Sequence, residues 1–171
     1  MSAIARPERI EPSRTANETD ALWPMLDYYR DTLVVKCAGL SDEELSTRAI
    51  PPSNLSLLGI LRHLAEVEVY WFGYVFTGLD VTYAYDPEMI GADFDNPAES
   101  PGESVAEKFY ECVAKSNELA KDKSLDSMSV RVTEQGPINL RCIVVHLIEE
   151  YARHCGHADL LREVIDGETG D

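Results

Sequence analysis

Between Ser56 and Phe76 the chain gathers Leu57, Leu58, Ile60, Leu61, Leu64, Val67, Tyr70, Trp71, Val75 and Phe76 in one stretch without a proline. At 3.6 residues per turn these side chains cover most of the circumference of a helix. A helix apolar over so wide an arc cannot lie at a surface, so other elements must enclose it. Ser56 is placed to cap its start, Pro51-Pro52 breaks the chain ahead of it, and Gly78 ends it. The segment therefore commits the chain to a core with this second helix inside it.

Three further amphipathic segments supply the partners. Leu22, Leu26, Tyr29, Leu33 and Cys37 recur at steps of three and four, which predicts a first helix with Asp20 as candidate N-cap and Gly39 as its stop. Ser41 to Leu45 carries a Ser-x-x-Glu capping box and predicts one more helical turn. Ser104 and Glu107 form a second such box ahead of Val105, Phe109, Cys112, Val113, Ser116 and Ala120, a third helix. Asn139 caps a fourth running from Leu140 to about Ile165, with Gly167 at its end. Ser129–Thr133 is too short to build a sheet. The expected fold is an all-α bundle of four long helices over residues 19–171, preceded by a flexible N-terminal arm, residues 1–18.

The connection across residues 78–103 holds Pro87, Pro97 and Pro101 and has no period of its own. A helix of about 22 residues is roughly 33 Å long, and an extended connection of this length can return along it. Helices two and three would then run parallel. The same connection is also long enough to lie over a site as a lid. The spacing leaves both open.

Charge removes several functions. The 171 residues carry 31 acids against 15 Lys and Arg, a formal charge of −16. Nucleic-acid binding requires a basic footprint, and an anionic membrane surface would repel the chain equally. No apolar run nears the ~20 residues that span a bilayer. Arg6, Glu8 and Arg9 interrupt the place where a signal peptide is apolar. These features point to the cytoplasm. Cys37, Cys112, Cys142 and Cys155 have no CxxC spacing and read as reduced thiols.

All four histidines lie on two helices: His63 in the second, and His146, His154 and His157 in the fourth. At 100° per residue, positions 146, 150, 154 and 157 fall near about 0°, 40°, 80° and 20°. With Glu150 they make one polar stripe on an otherwise apolar helix. Flanked by Val144, Leu147, Leu160 and Leu161, the stripe reads as facing inward towards His63, which is how bundles build metal sites. Read from spacing alone, a solvated face remains the alternative. Glu66, one turn from His63, is either a further ligand or base or a salt-bridged acid. Cys155 adjoins His154, but neighbours in sequence point apart on a helix, so a Cys-His nucleophile is not expected. No GxSxG, P-loop or GxGxxG occurs.

The segments Pro51–Glu68 with Trp71-Phe72, and His146–Glu163 with Asp166-Gly167, resemble the DinB/YfiT-like superfamily. Within it the chain is similar to the branch regarded as mycothiol-dependent S-transferases, and the likeness runs over nearly the whole chain after residue 18, Arg30 included. The resemblance implies an up-down-down-up bundle with a long crossover between helices two and three. It also implies a divalent metal held by His63, Glu150 and His154, with His157 where relatives carry glutamine and His146 and His157 around the ligands. Glu150 stands where most relatives have histidine, as in the mycothiol-dependent maleylpyruvate isomerase branch.

Two imidazoles and a carboxylate suit Zn(II), and also Ni or Fe(II). The activity this implies is transfer of a low-molecular-weight thiol, mycothiol-like, to small electrophiles in detoxification or stress response. Arg30, Arg153 and Arg162 are candidates for gripping an anionic co-substrate, or else surface ion-pair residues. The alternatives are a non-catalytic metal-binding stress-response protein and a metal- and thiol-dependent isomerase. Partners are small molecules, with no nucleic acid and no membrane, and a homodimer stays open.

Overall fold

The computed structural model describes residues 4–81, 94 and 101–170. Five helices form: α1 (Glu18–Cys37), α2 (Asp42–Ser46), α3 (Leu57–Glu68), α4 (Gly102–Ala120) and α5 (Leu140–Asp166). The α3 axis continues as a wider π-helical segment, Val69–Phe76. Among the described residues there is no strand, and the four long helices are those the periodicity predicts.

Local chemistry explains most of the ends. Ser56 Oγ accepts the amide of Gly59 at 3.1 Å, and Asn139 Oδ1 accepts that of Cys142 at 3.0 Å. Ser41 and Glu44 complete the expected capping box of α2. Gly167 takes the left-handed conformation (φ 82°) that closes α5. The start of α1 differs from expectation. Asn17, not Asp20, is the cap, and Asp20 falls in the first turn, where an acid is favoured by the helix dipole.

The predicted Ser104 capping box does not form. Helix α4 begins three residues earlier, with Pro101 at its cap, and the amide of Gly102 donates to Asp42 Oδ1 at 2.7 Å. A carboxylate from α2 does in tertiary contact what Ser104 was expected to do locally. Gly102 lies so close to Leu45 that a Cβ there would collide with it. The N-terminal arm is also less loose than expected. Ile4 is buried in the core beside this junction, Arg6 bonds Glu168 at 3.0 Å, and Arg9 lies over the Tyr28 ring.

Named contacts give the topology. Helices α1 and α5 run parallel: Glu18 meets Arg141 at their starts, Tyr29 O meets Cys155 Sγ midway, and the Lys36 and Ala38 carbonyls meet Arg162 near their ends. Helix α3 runs against α1, since Cys37 approaches Leu57, Arg30 reaches Glu68 and Trp23 stacks on Phe72. Helix α4 starts at α2 and reaches Glu68 with Ser116, so it is parallel to α3. The bundle is therefore up-down-down-up. Residues 129–131 then pair back onto the end of the π-helical segment, with the Val130 and Arg131 amides donating to Phe76 O and Val75 O.

Leu26, Leu33, Leu61, Leu64, Phe72, Phe109, Leu147 and Tyr151 fill the centre. Two expected core residues point outward instead: Tyr70, at the start of the π-helical segment, and Leu160, on the far side of α5. Among the described residues no helix is long and apolar enough to cross a membrane. The connection 78–103, read as either a return path or a lid, falls mostly outside the described residues.

Candidate metal centre

Antiparallel packing of α3 against α5 sets the middle of one against the middle of the other. His63 of α3 there faces Glu150 and His154 of α5, and one donor atom from each lies within 4.8 Å of the other two. The His63 and His154 ring centroids are 4.9 Å apart, and His154 Nε2 is 3.7 Å from Glu150 Oε2. The two α5 residues are one turn apart, so their side chains share a face. All three are buried or half-buried. Two imidazole nitrogens and a carboxylate oxygen converging from two helices match the donor set of a divalent ion with positions left open. It is the one such cluster among the described residues.

The remaining stripe residues surround this cluster. His157 Nδ1 lies 3.5 Å from His154 Nδ1, on the side of the ring away from Glu150. His146 Nε2 is 3.8 Å from Glu150 Oε1 and its ring stands edge-on to Trp71 at 4.7 Å. Phe94 stacks on His63, centroids 4.7 Å apart, an aromatic partner with no periodic signal in the sequence. The inward orientation of the stripe is thus observed.

The three arginines separate. Arg153 is exposed at the rim of the cluster, bonded to Glu149 at 2.7 Å and 3.5 Å from Glu150 Oε1. Arg30 and Arg162, expected either to grip a co-substrate or to pair at the surface, do neither. Arg162 is buried and donates to the last carbonyls of α1, Lys36 O and Ala38 O, while pairing with Asp166 and Glu168. It joins the parallel helix ends, where orphan carbonyls favour a cation. Glu66, considered beside His63 as a ligand or base, lies outside the donor cluster, and its charge acts on Lys108 and Cys112 of α4.

Arg30 is 2% exposed and Glu68 wholly buried. Arg30 Nε and Nη2 donate to the two Glu68 oxygens, each at 2.8 Å, while its Nη1 donates to Asp27 and Asn117. The Tyr151 hydroxyl donates to Glu68 Oε1 at 2.8 Å. Burial disfavours the Arg30 charge, but Glu68, Tyr151 and Asp27 together outweigh that and hold the guanidinium protonated. Burial, reinforced by Glu68, likewise pushes the Tyr151 phenol well up. Neither Glu68 nor Tyr151 was singled out from the sequence. The signal was present: Leu57, Leu61, Leu64, Glu68 and Phe72 form one stripe at steps of four and three, so an acid occupies a core position.

The cysteine reading agrees with these surroundings. Cys37, Cys112 and Cys155 are buried and reduced, and Cys142 is exposed. Burial pushes the Cys37 and Cys155 thiols up to about 12 and that of Cys112 to about 11. Cys155 points at Tyr29 O on α1, away from His154's cluster.

With this geometry in place, comparison with known proteins gives three results. A family model described as "Mycothiol-S-transferase" matches residues 21–167. No curated protein matches. Among solved structures, the crystal structure of a conserved protein from Enterococcus faecalis superposes with a TM-score of 0.64 at 15% identity, covering 90% of this chain and 100% of that one. At that identity the likeness speaks for the fold alone.

Proposed function

The chain belongs to the mycothiol-S-transferase family, and from that premise we propose that it transfers a low-molecular-weight thiol, mycothiol first among them, to small electrophiles. His63, Glu150 and His154 would hold a divalent ion. The observation that carries this reading is the convergence of their donor atoms within 4.8 Å at the centre of the α3–α5 pair. Zn(II) suits the donors, as do Ni and Fe(II). When bound, such an ion favours the ionised form of a thiol and so makes it nucleophilic at neutral pH.

The chain's own side chains do the rest. His157, against the far nitrogen of His154, keeps that ring turned towards Glu150. His146, held by Trp71, approaches the other oxygen of Glu150. Phe94 stacks on one face of the His63 ring. Arg153, more than half exposed beside Glu150, is the arginine placed to meet an anionic group of the co-substrate. Cys37, Cys112 and Cys155 are held as neutral thiols by burial and Cys142 lies in the first turn of α5, about two turns before Glu150, so this reading takes the reacting sulfur from the co-substrate. The setting would be detoxification or stress response in the cytoplasm.

The test is conjugation of a bimane or a chloro-nitrobenzene in the presence of the protein. Acceleration should require mycothiol, with cysteine and glutathione poor substitutes, and should fall to background on chelation or in Glu150→Ala. A metal-replete protein that accelerates no conjugation with mycothiol, bacillithiol or glutathione would instead be a sequestering protein.

A further inference from the structure

We propose that Tyr151, acting through Glu68 and Arg30, is a positioning residue that sets the register of α3 against α5 and so aligns the two halves of the His63–Glu150–His154 cluster. The proposal rests on the metal reading above. Tyr151 is the neighbour of Glu150 on α5, and Glu68 lies five residues beyond His63 on α3. The hydroxyl of one donates to the carboxylate of the other, so a directional bond joins the two helices about one turn from the donor atoms. Around it Leu61, Leu64 and Leu147 supply apolar packing that has no preferred direction. Apolar contacts tolerate small slips and rotations, whereas a hydrogen bond weakens steeply as its angle closes. Metal ligation needs donor distances held to about 0.2 Å. The directional contact is therefore found where precision is required.

All four long helices meet at this point. Arg30 of α1 grips both Glu68 oxygens, Asn117 of α4 accepts from Arg30, and Ser116 of α4 donates to the Glu68 carbonyl. Well-packed apolar residues often serve stability as well as a buried ion pair does, so stability alone gives little reason for charges here. Fixing register is the best-attested use of such groups.

The test uses the full chain, with Co(II) as probe, and compares Tyr151→Phe with Val34→Ala, a core change on α1 that removes no polar member of the junction. Tyr151→Phe keeps the ring and leaves Glu68 paired with Arg30, so the fold is retained. It should bind Co(II) about tenfold more weakly, at the low end of what supporting residues contribute, with altered visible band intensity. Val34→Ala should lose thermal stability yet bind Co(II) with wild-type affinity and spectrum. Wild-type affinity and spectrum in Tyr151→Phe would overturn the positioning role, as would equal weakening in Val34→Ala. A wild-type protein that takes up no Co(II) would overturn the metal reading and this proposal together.

Discussion

Replacing Arg30 by Met tests what the buried junction costs and what it returns. The wild-type guanidinium satisfies both oxygens of Glu68, a side chain with no exposure. Met fills much of the same volume but leaves the carboxylate with only the Tyr151 hydroxyl. Stranding one member of a buried pair costs about 3–5 kcal/mol. Against a total of roughly 5–15 kcal/mol for a domain, that is about a fifth of the stability or more. At about 2–4 °C per kcal/mol for this size, the melting temperature should fall by roughly 6–20 °C. The triple variant Arg30→Met/Glu68→Leu/Tyr151→Phe removes the buried charges and the Tyr151 hydroxyl at once, and the remaining partners of Arg30, Asp27 and Asn117, are exposed to water. It should return to within about 2 kcal/mol of wild type, since an apolar replacement of a buried ion pair is often neutral or stabilising. Urea unfolding followed by circular dichroism measures both. The reasoning fails if the triple variant is as unstable as the single losses summed, because the cost would then be lost packing and not a stranded charge. If the junction also sets register, the triple variant should stay a weak Co(II) binder despite its recovered stability.

Three other outcomes follow from the same contacts. Ala at His63, Glu150 or His154 should each reduce metal content measured by elemental analysis, and full retention by two of the three would refute the ligand set. His157→Ala should weaken metal binding 10–100-fold without abolishing it; a folded variant that purifies wholly metal-free would make His157 a ligand. Iodoacetamide at pH 8 should modify Cys142 first, with Cys37, Cys112 and Cys155 protected until the chain unfolds. Because their thiols are raised, the unfolded chain ionises them first, so they cost stability as pH climbs above about 9 towards 12. Early modification of Cys155 in mass spectra would contradict its burial.

Much of the donor cluster was legible because helical spacing alone puts Glu150 and His154 on one face, and because His63 is the one histidine outside α5. The arginines were not legible in this way. Spacing tells which face a residue takes, but not whether that face meets solvent, a carboxylate or a carbonyl. Arg30 and Arg162 look alike in sequence to Arg153, yet two are consumed inside the bundle and one stands at the rim. Phe94 could not be found at all, since its stacking on His63 depends on the path of the crossover.

The sequence by itself determined the four long helices, the caps at Ser41, Ser56 and Asn139, the stop at Gly167 and the polar stripe of α5. All of these rest on interactions within about one helical turn, which local order dictates. Tertiary structure alone decided that α4 starts at Gly102 with its first amide held by an Asp42 carboxylate, that Ile4 joins the core, and that α1 lies parallel to α5. It also decided that Glu68, Arg30 and Tyr151 share one buried junction. Those features join groups 38 to 126 residues apart in the chain. A charge enters such a core only with its partner, and the partner is supplied by the packing of other helices.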